Sequence, residues 1–334
     1  MCTFVDNGDT LKRVDRQPFR FAVQATNAAS GREWRELVCK IEELGYSSLM
    51  LADHYLGPGS AQVAARTPRQ DLAPIAAIAT AAAHTSSLRV GCRVFCIDYH
   101  VPAALAKEVA TLDLLSDGRL EVGIGAGWSG VEYDAMGLAF DTPGRRIAKL
   151  KEVVALIKAH CVGDDLACAG EYVNIHGYKG TPQPVQRPHP PIMIGGGGPR
   201  VLSYAAREAD IVSINTVPFV ARNDDGRTPQ EEAECRFEYV RAAAGTRIGD
   251  LDIESSPYFV VISDDAAAAY DRIAAKTGVM LDVMRDHPNV LIGPEGAVVE
   301  TLQERRESFG VNYVTVRQSQ AERFARIVAR LTGT

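Results

Sequence analysis

Several signatures are missing from this chain, and each absence closes off a class of chemistry. No CxxC pair occurs among the seven cysteines (Cys2, Cys39, Cys92, Cys96, Cys161, Cys168 and Cys235). Their odd number and wide spacing fit neither a disulfide framework nor a zinc knuckle. HExxH, the GxxxxGK phosphate loop and the GxSxG nucleophile elbow are all absent, and the seven histidines lack metal-ligand spacing. Metal catalysis and a serine nucleophile therefore have no support, and no metal is expected. Long runs of Lys or Arg are also missing, and a net charge of −6 offers no basic surface for nucleic acid. No apolar run is long enough to span a bilayer. Residues 1–18 form a polar extension without the apolar centre of a signal peptide. The expectation is a soluble, cytoplasmic protein.

What is present is ordinary globular composition, 46% apolar and 23% charged over 334 residues, enough for a large core. Strand and helix patterns alternate along most of the chain. Strand-like runs occur at 19–24, 47–52, 88–97, 119–125, 191–194, 210–215, 256–262 and 311–317, each followed by a helical pattern. Pro102 opens one helix, where its missing N–H costs nothing. Eight such units with no composition break predict a single domain over 19–334, a (β/α)8 TIM barrel rather than a doubly wound sheet. Two long connections, 161–190 and 216–228, are expected as irregular insertions at the C-terminal face that shape a site.

In such a barrel the active site lies at the C-terminal strand ends, so those ends are the places to look. Four consecutive glycines, Gly195 to Gly198, join an apolar strand to an amphipathic helix. Glycines there let the backbone bend and let a ligand approach the unpaired amides of the helix start, a ready anion site. A tight turn packed on the sheet would need only one. The second strand ends in Asp53-His54, a carboxylate beside an imidazole, suited to acid/base work or to recognising a ring. Alternatively Asp53 caps a loop and His54 is solvated. The fourth strand runs into Gly125-Ala126-Gly127-Trp128-Ser129-Gly130, which matches dinucleotide-fingerprint spacing. Three units precede it and no strand follows about 20 residues on, so the Rossmann reading fails. These glycines instead let a planar cofactor lie against the backbone. Glu132 follows, as a second acid/base or as a first-turn acid favoured by the helix dipole. Arg93, in mid-strand, needs an acidic partner or a ligand.

Taken together, LADHYLG, LRVGCRVF, SDGRLEVGIGAGWSGVEYDAMG, PPIMIGGGGPRVLSYAAREADIV and GVNYVTVR resemble the bacterial luciferase-like monooxygenases. Within that family the chain looks like the oxidoreductases dependent on coenzyme F420, a deazaflavin. The resemblance implies a (β/α)8 barrel with cofactor across its C-terminal mouth. It implies that Asp53 and His54 contact the ring and the reacting centre, with Glu132 as a further catalytic candidate. Cys92, Arg93 and Val94 would form a supporting bulge, often carrying a non-proline cis peptide. Gly125, Ala126 and Gly127 would lie along the ring or its ribityl chain, and Gly195, Gly196, Gly197 and Gly198 would receive the phosphate. The implied activity is hydride transfer between deazaflavin C5 and a small organic substrate. An FMN-dependent monooxygenase and a non-catalytic flavin- or deazaflavin-binding barrel are the alternatives, and a homodimer is the implied assembly. After the sixth strand Arg222 is the one clear cation, which does not support a phosphorylated sugar as substrate.

Overall fold

The computed structural model describes residues 17–163 and 165–334, so the expected extension over 1–18 falls almost wholly outside them. The described residues hold twelve strands, in chain order β1 (Arg20–Ala25), β2 (Ser48–Leu51), β3 (Arg89–Cys96), β4 (Leu120–Gly125), β5 (Asp165–Ala169), β6 (Asn174–Lys179), β7 (Ile192–Gly196), β8 (Ile211–Ile214), β9 (Asp252–Ser255), β10 (Phe259–Ile262), β11 (Val290–Gly293) and β12 (Val311–Arg317). Eight of them close into a parallel barrel in the order β1-β12-β9-β8-β7-β4-β3-β2. This is the (β/α)8 fold that the alternation predicts, with additional elements at the C-terminal face.

The strand alternation explains where the core sits. In β1, Phe21, Val23 and Ala25 face the surrounding helices and join the large outer core, while Ala22 points into the barrel. Inside, Ala22, Met50, Met193, Ile211 and Tyr313 form a small apolar layer with Val94 packed against it. Beneath it Arg20 pairs with Glu121 and, at 2.5 Å, with Asp252, and the Tyr313 hydroxyl donates to Glu121 at 2.8 Å. Glu121 is fully buried; its partners are what make a charge tolerable there. Close strand approach demands glycine at Gly91 and Gly123, where a Cβ would lie 2.3 Å and 1.9 Å from the carbonyl oxygens of Glu121 and Cys92.

Helix starts are marked in the sequence. The helices Pro74–Ala83, Pro102–Leu115, Pro143–Val162, Pro199–Glu208 and Pro229–Ala244 all open on proline. Thr228 and Glu231 form a reciprocal capping box on the last of these.

Two expectations change. The seventh barrel strand is β9, not 256–262: Pro257 has no N–H to donate and breaks the run, and β10 leaves the barrel to pair with β11. A helix at Glu295–Phe309 completes that unit; its apolar positions are too few to stand out in the pattern. The stretch 161–190, expected as an irregular, site-shaping insertion at the C-terminal face, contains the antiparallel hairpin β5–β6. Because it runs from the end of the helix Pro143–Val162 into β7, it lies at the opposite, N-terminal strand ends, and its described residues line no part of the barrel mouth. That hairpin is mostly exposed, so no apolar alternation announced it.

Candidate active site

At the C-terminal mouth of the barrel lies a cleft of about 1020 Å³, room for a large cofactor together with a substrate. Every strand-tip residue singled out from the sequence borders it except Cys92. Cys92 is fully buried in the outer core, and burial pushes its thiol well up.

Asp53 and His54 are adjacent in sequence but serve different partners. The imidazole Nδ1 of His54 lies 2.7 Å from Glu132 Oε2, and the Tyr55 N–H donates to Glu132 Oε1 at 2.9 Å. Glu132 is held in the first turn of the short helix Gly130–Ala135, whose N-cap Ser129 accepts from the Glu132 N–H. Burial alone would raise its carboxyl. The hydrogen bonds from His54, the Tyr55 N–H and the Tyr99 side chain outweigh burial and hold it below the ordinary carboxylate range. A carboxylate facing Nδ1 leaves Nε2 to accept a proton. Trp128 stands edge-on to the His54 ring at 6.0 Å between centroids.

Asp53 turns the other way. Its Oδ2 accepts the Cys96 N–H at 2.9 Å and pairs with His100 Nε2 at 2.9 Å, while Oδ1 is buried without a hydrogen-bond partner. Asp53 thus does not hold its neighbour His54; the histidine it holds is His100. His100 went unnoticed in the sequence because it follows the third strand by four residues, in a polar tip with no motif.

Arg93 finds its acid inside the barrel, with Nε 2.9 Å from Glu254 Oε2. Ser213 donates to the same oxygen at 2.6 Å, and Arg93 Nη1 donates to Gln24 at 3.3 Å. The Arg93–Val94 peptide is cis, and the β3–β4 register shifts between Cys92 and Phe95. Val94 also dictates glycine on the neighbouring strands. A Cβ at Gly125 or Gly195 would come within 2.5 Å or 3.3 Å of Val94 methyls. At Gly127 the space is taken by the Tyr133 hydroxyl, which donates to Asp98 at 2.7 Å; Asp98 in turn pairs with Lys149 at 2.5 Å.

None of Gly195 to Gly198 adopts a left-handed backbone. The first two belong to β7, and Gly198 is the N-cap of Pro199–Glu208, with no side-chain cap. Gly196 is required because a Cβ would lie 2.3 Å from Val201 Cγ1, whereas Gly198 faces open space. The run thus reflects close packing followed by an open, uncapped helix start. A second helix, Pro143–Val162, begins on the same side, also without a side-chain cap. Its Arg146 borders the cleft and donates to the Ala126 carbonyl at 3.1 Å. Sequence reasoning missed Arg146; its position in a first helical turn gave no sign of the contact. Arg222 lies outside the cleft, bonded to the Gly226 carbonyl. Among the described residues no cluster of three or more His, Cys, Asp or Glu side chains is placed to hold a metal. No described helix is long and apolar enough to cross a membrane.

A closed parallel barrel with a polar cleft at the carboxyl ends of its strands defines the (β/α)8 class. Within it, the chain belongs to the luciferase-like monooxygenase family, whose model matches residues 17–308. An uncharacterized protein of Mycobacterium tuberculosis is 31% identical over 232 residues, 61% of this chain and 76% of that protein. The F420-dependent glucose-6-phosphate dehydrogenase of Kineococcus radiotolerans is 32% identical over 180 residues, 52% of this chain and 50% of the dehydrogenase. The crystal structure of monooxygenase RslO1 from Streptomyces bottropensis superposes with a TM-score of 0.71 at 21% identity, over 93% of this chain and 98% of that one. At that identity the likeness speaks for the fold.

Proposed function

We propose that this protein is an F420-dependent oxidoreductase that moves a hydride between the deazaflavin and a small organic substrate. The observation that carries the reading is the pair of half-buried His54 and buried Glu132 bordering the cleft, beside a floor left bare of side chains at Gly125 and Gly195, which pack on Val94. That floor fits a flat ring system. The glycine-rich start of Pro199–Glu208 fits a phosphate, and the unpartnered Asp53 Oδ1 offers an acceptor for a ring N–H. When bound, the deazaflavin supplies the hydride-carrying C5.

The protein's own residues then position and manage protons. Glu132 fixes the His54 imidazole with Nε2 free, so His54 can take a proton from a substrate hydroxyl or return one to a carbonyl. Asp53, which borders the cleft, is held through Oδ2 by His100 and the Cys96 amide, and its second oxygen has no hydrogen-bond partner. The F420-dependent dehydrogenase match supports a deazaflavin. The family's monooxygenases keep FMN as the second reading.

Titration of the protein with F420 and with FMN, followed by cofactor fluorescence, tests the choice. Tighter F420 binding, with turnover lost in His54→Ala at unchanged cofactor affinity, is the expected result. Equal turnover in the variant, or binding of FMN alone, refutes the reading.

A further inference from the structure

Opposite the glycine-rich helix start proposed for the cofactor phosphate, the cleft has a side lined by arginines. Around the barrel mouth β7, which leads into the glycine-rich helix start, lies opposite β1, with β12 next to β1. On the β1/β12 side, Arg66, Thr67, Arg69 and Arg317 also line the cleft.

Their surroundings make this one wall. The Asp71 N–H donates to the Thr26 carbonyl at 2.9 Å, and the Thr26 N–H donates to Gln318 at 3.0 Å, so the 66–71 loop, β1 and the end of β12 are joined. Arg69 is neutralised by a two-pronged contact with Asp71 at 2.9 and 2.7 Å. Arg66 and Arg317 make no salt bridge to any described carboxylate; Arg317 lies over the Tyr258 ring at 4.6 Å. Arg66 holds a left-handed backbone, φ 55°, uncommon for a residue with a long side chain. The preceding Ala65 carbonyl accepts the Ser129 hydroxyl at 3.1 Å, which fixes this turn beside Trp128 and hence near His54. Thr67, next to Arg66 in the chain, lines the cleft and is buried, its hydroxyl without a hydrogen-bond partner.

We propose that this wall binds an oxyanion on the substrate, a carboxylate or a phosphate ester, through Arg66 and Arg317 together with the Thr67 hydroxyl. The exposed Trp128 would cover an apolar part of the same molecule beside His54. Two uncompensated guanidinium groups in a cleft attract an oxyanion strongly, because they bind it by charge-assisted, often two-pronged, hydrogen bonds. These cations come from the second and eighth units, not from the segment after the sixth strand. The inference rests on the redox reading for the word substrate, and its test is separate.

Trp128 provides the probe, since Trp34, the other of the two tryptophans, is buried with its indole N–H on the Ala77 carbonyl at 3.2 Å. Benzoate, phenyl phosphate and neutral benzamide are titrated against the full chain while tryptophan fluorescence is followed. One or both anions should bind roughly tenfold or more tightly than benzamide, and Arg66→Gln and Arg317→Gln should each remove roughly that factor while leaving benzamide binding unchanged. Comparing benzoate with phenyl phosphate tells which oxyanion is preferred. Equal binding of anions and benzamide, or anion binding indifferent to both substitutions, overturns the proposal. So does a loss of F420 affinity with no loss of benzoate affinity, which would give these cations to the cofactor. Anion binding through Arg317 in a protein that takes up neither F420 nor FMN would uphold the anion site and defeat the redox reading.

Discussion

Replacing Glu132 by glutamine asks whether the pair with His54 sets the histidine's proton. The geometry decides what the amide must do. The Tyr55 N–H donates to Oε1 at 2.9 Å, so the amide oxygen of the substituted side chain has to occupy that position. Its NH2 then replaces Oε2, 2.7 Å from His54 Nδ1, and becomes a donor where an acceptor stood. Nδ1 must accept, the proton moves to Nε2, and the nitrogen facing the cleft can no longer take one. Size and shape are kept, so stability should fall by only about 1–2 kcal/mol, the difference between charge-assisted and neutral hydrogen bonds. Turnover should fall by about 10²–10⁴, the range for loss of a positioned general base or of its correct tautomer. Cofactor affinity should stay within about threefold, since the substitution keeps volume and leaves the floor intact. Steady-state turnover and the nitrogen shifts of labelled His54 measure the two halves of the argument. Turnover near that of the parent, or a proton still on Nδ1 in the variant, refutes it.

Three further outcomes follow from the packing and charge of the fold. Arg93→Met removes the cation from the fully buried Glu254 and should cost about 3–5 kcal/mol, read by urea denaturation, with partial recovery in the double variant carrying Glu254→Gln; full stability in the single variant contradicts the pairing. Glu42 accepts the N–H groups of Ser86, Ser87 and Leu88 at 2.9, 2.6 and 2.9 Å. Burial opposes its ionisation, but these bonds prevail and bring the carboxyl from 4.5 to about 2. Its contribution is therefore full above pH 4.5 and fades as pH falls toward 2; after allowance for solvent screening it is about 1–2 kcal/mol. Glu42→Gln should flatten the acid limb of the stability curve, and an unchanged limb would count against it. Gly196→Ala places a Cβ 2.3 Å from Val201 Cγ1 and should destabilise by about 1–3 kcal/mol, a loss that Val201→Ala relieves in the double variant; a fully stable single variant would show the space is available.

Legibility differed by element. The barrel was readable because buried parallel strands are continuous apolar runs and their covering helices carry a 3.6-residue stripe. The run 49–52 stands out on the first count, and Phe324, Ile327, Val328 and Leu331 on the second. The break at Pro257 and the mostly exposed hairpin β5–β6 were not readable as built. A proline can end a strand or merely bend it, and an exposed hairpin needs no apolar face.

At the site, local sequence marked positions and tertiary structure assigned partners. Asp53, His54, Glu132 and the glycines at Gly125 and Gly195 could be located because strand ends in a barrel converge on one mouth. Nothing in the chain order says that neighbouring Asp53 and His54 diverge to His100 and Glu132, 47 and 78 residues away. Likewise the four glycines were visible as a run, but the run could not show that Gly196 yields to Val201 while Gly198 faces open space. By itself the sequence determined the periodicities, the proline-marked helix starts and the tips of seven of the eight barrel strands, because these are local and set by residue type. Only closing the barrel decided which charges meet, since side chains far apart in sequence become partners only when parallel strands set their registers around a common axis.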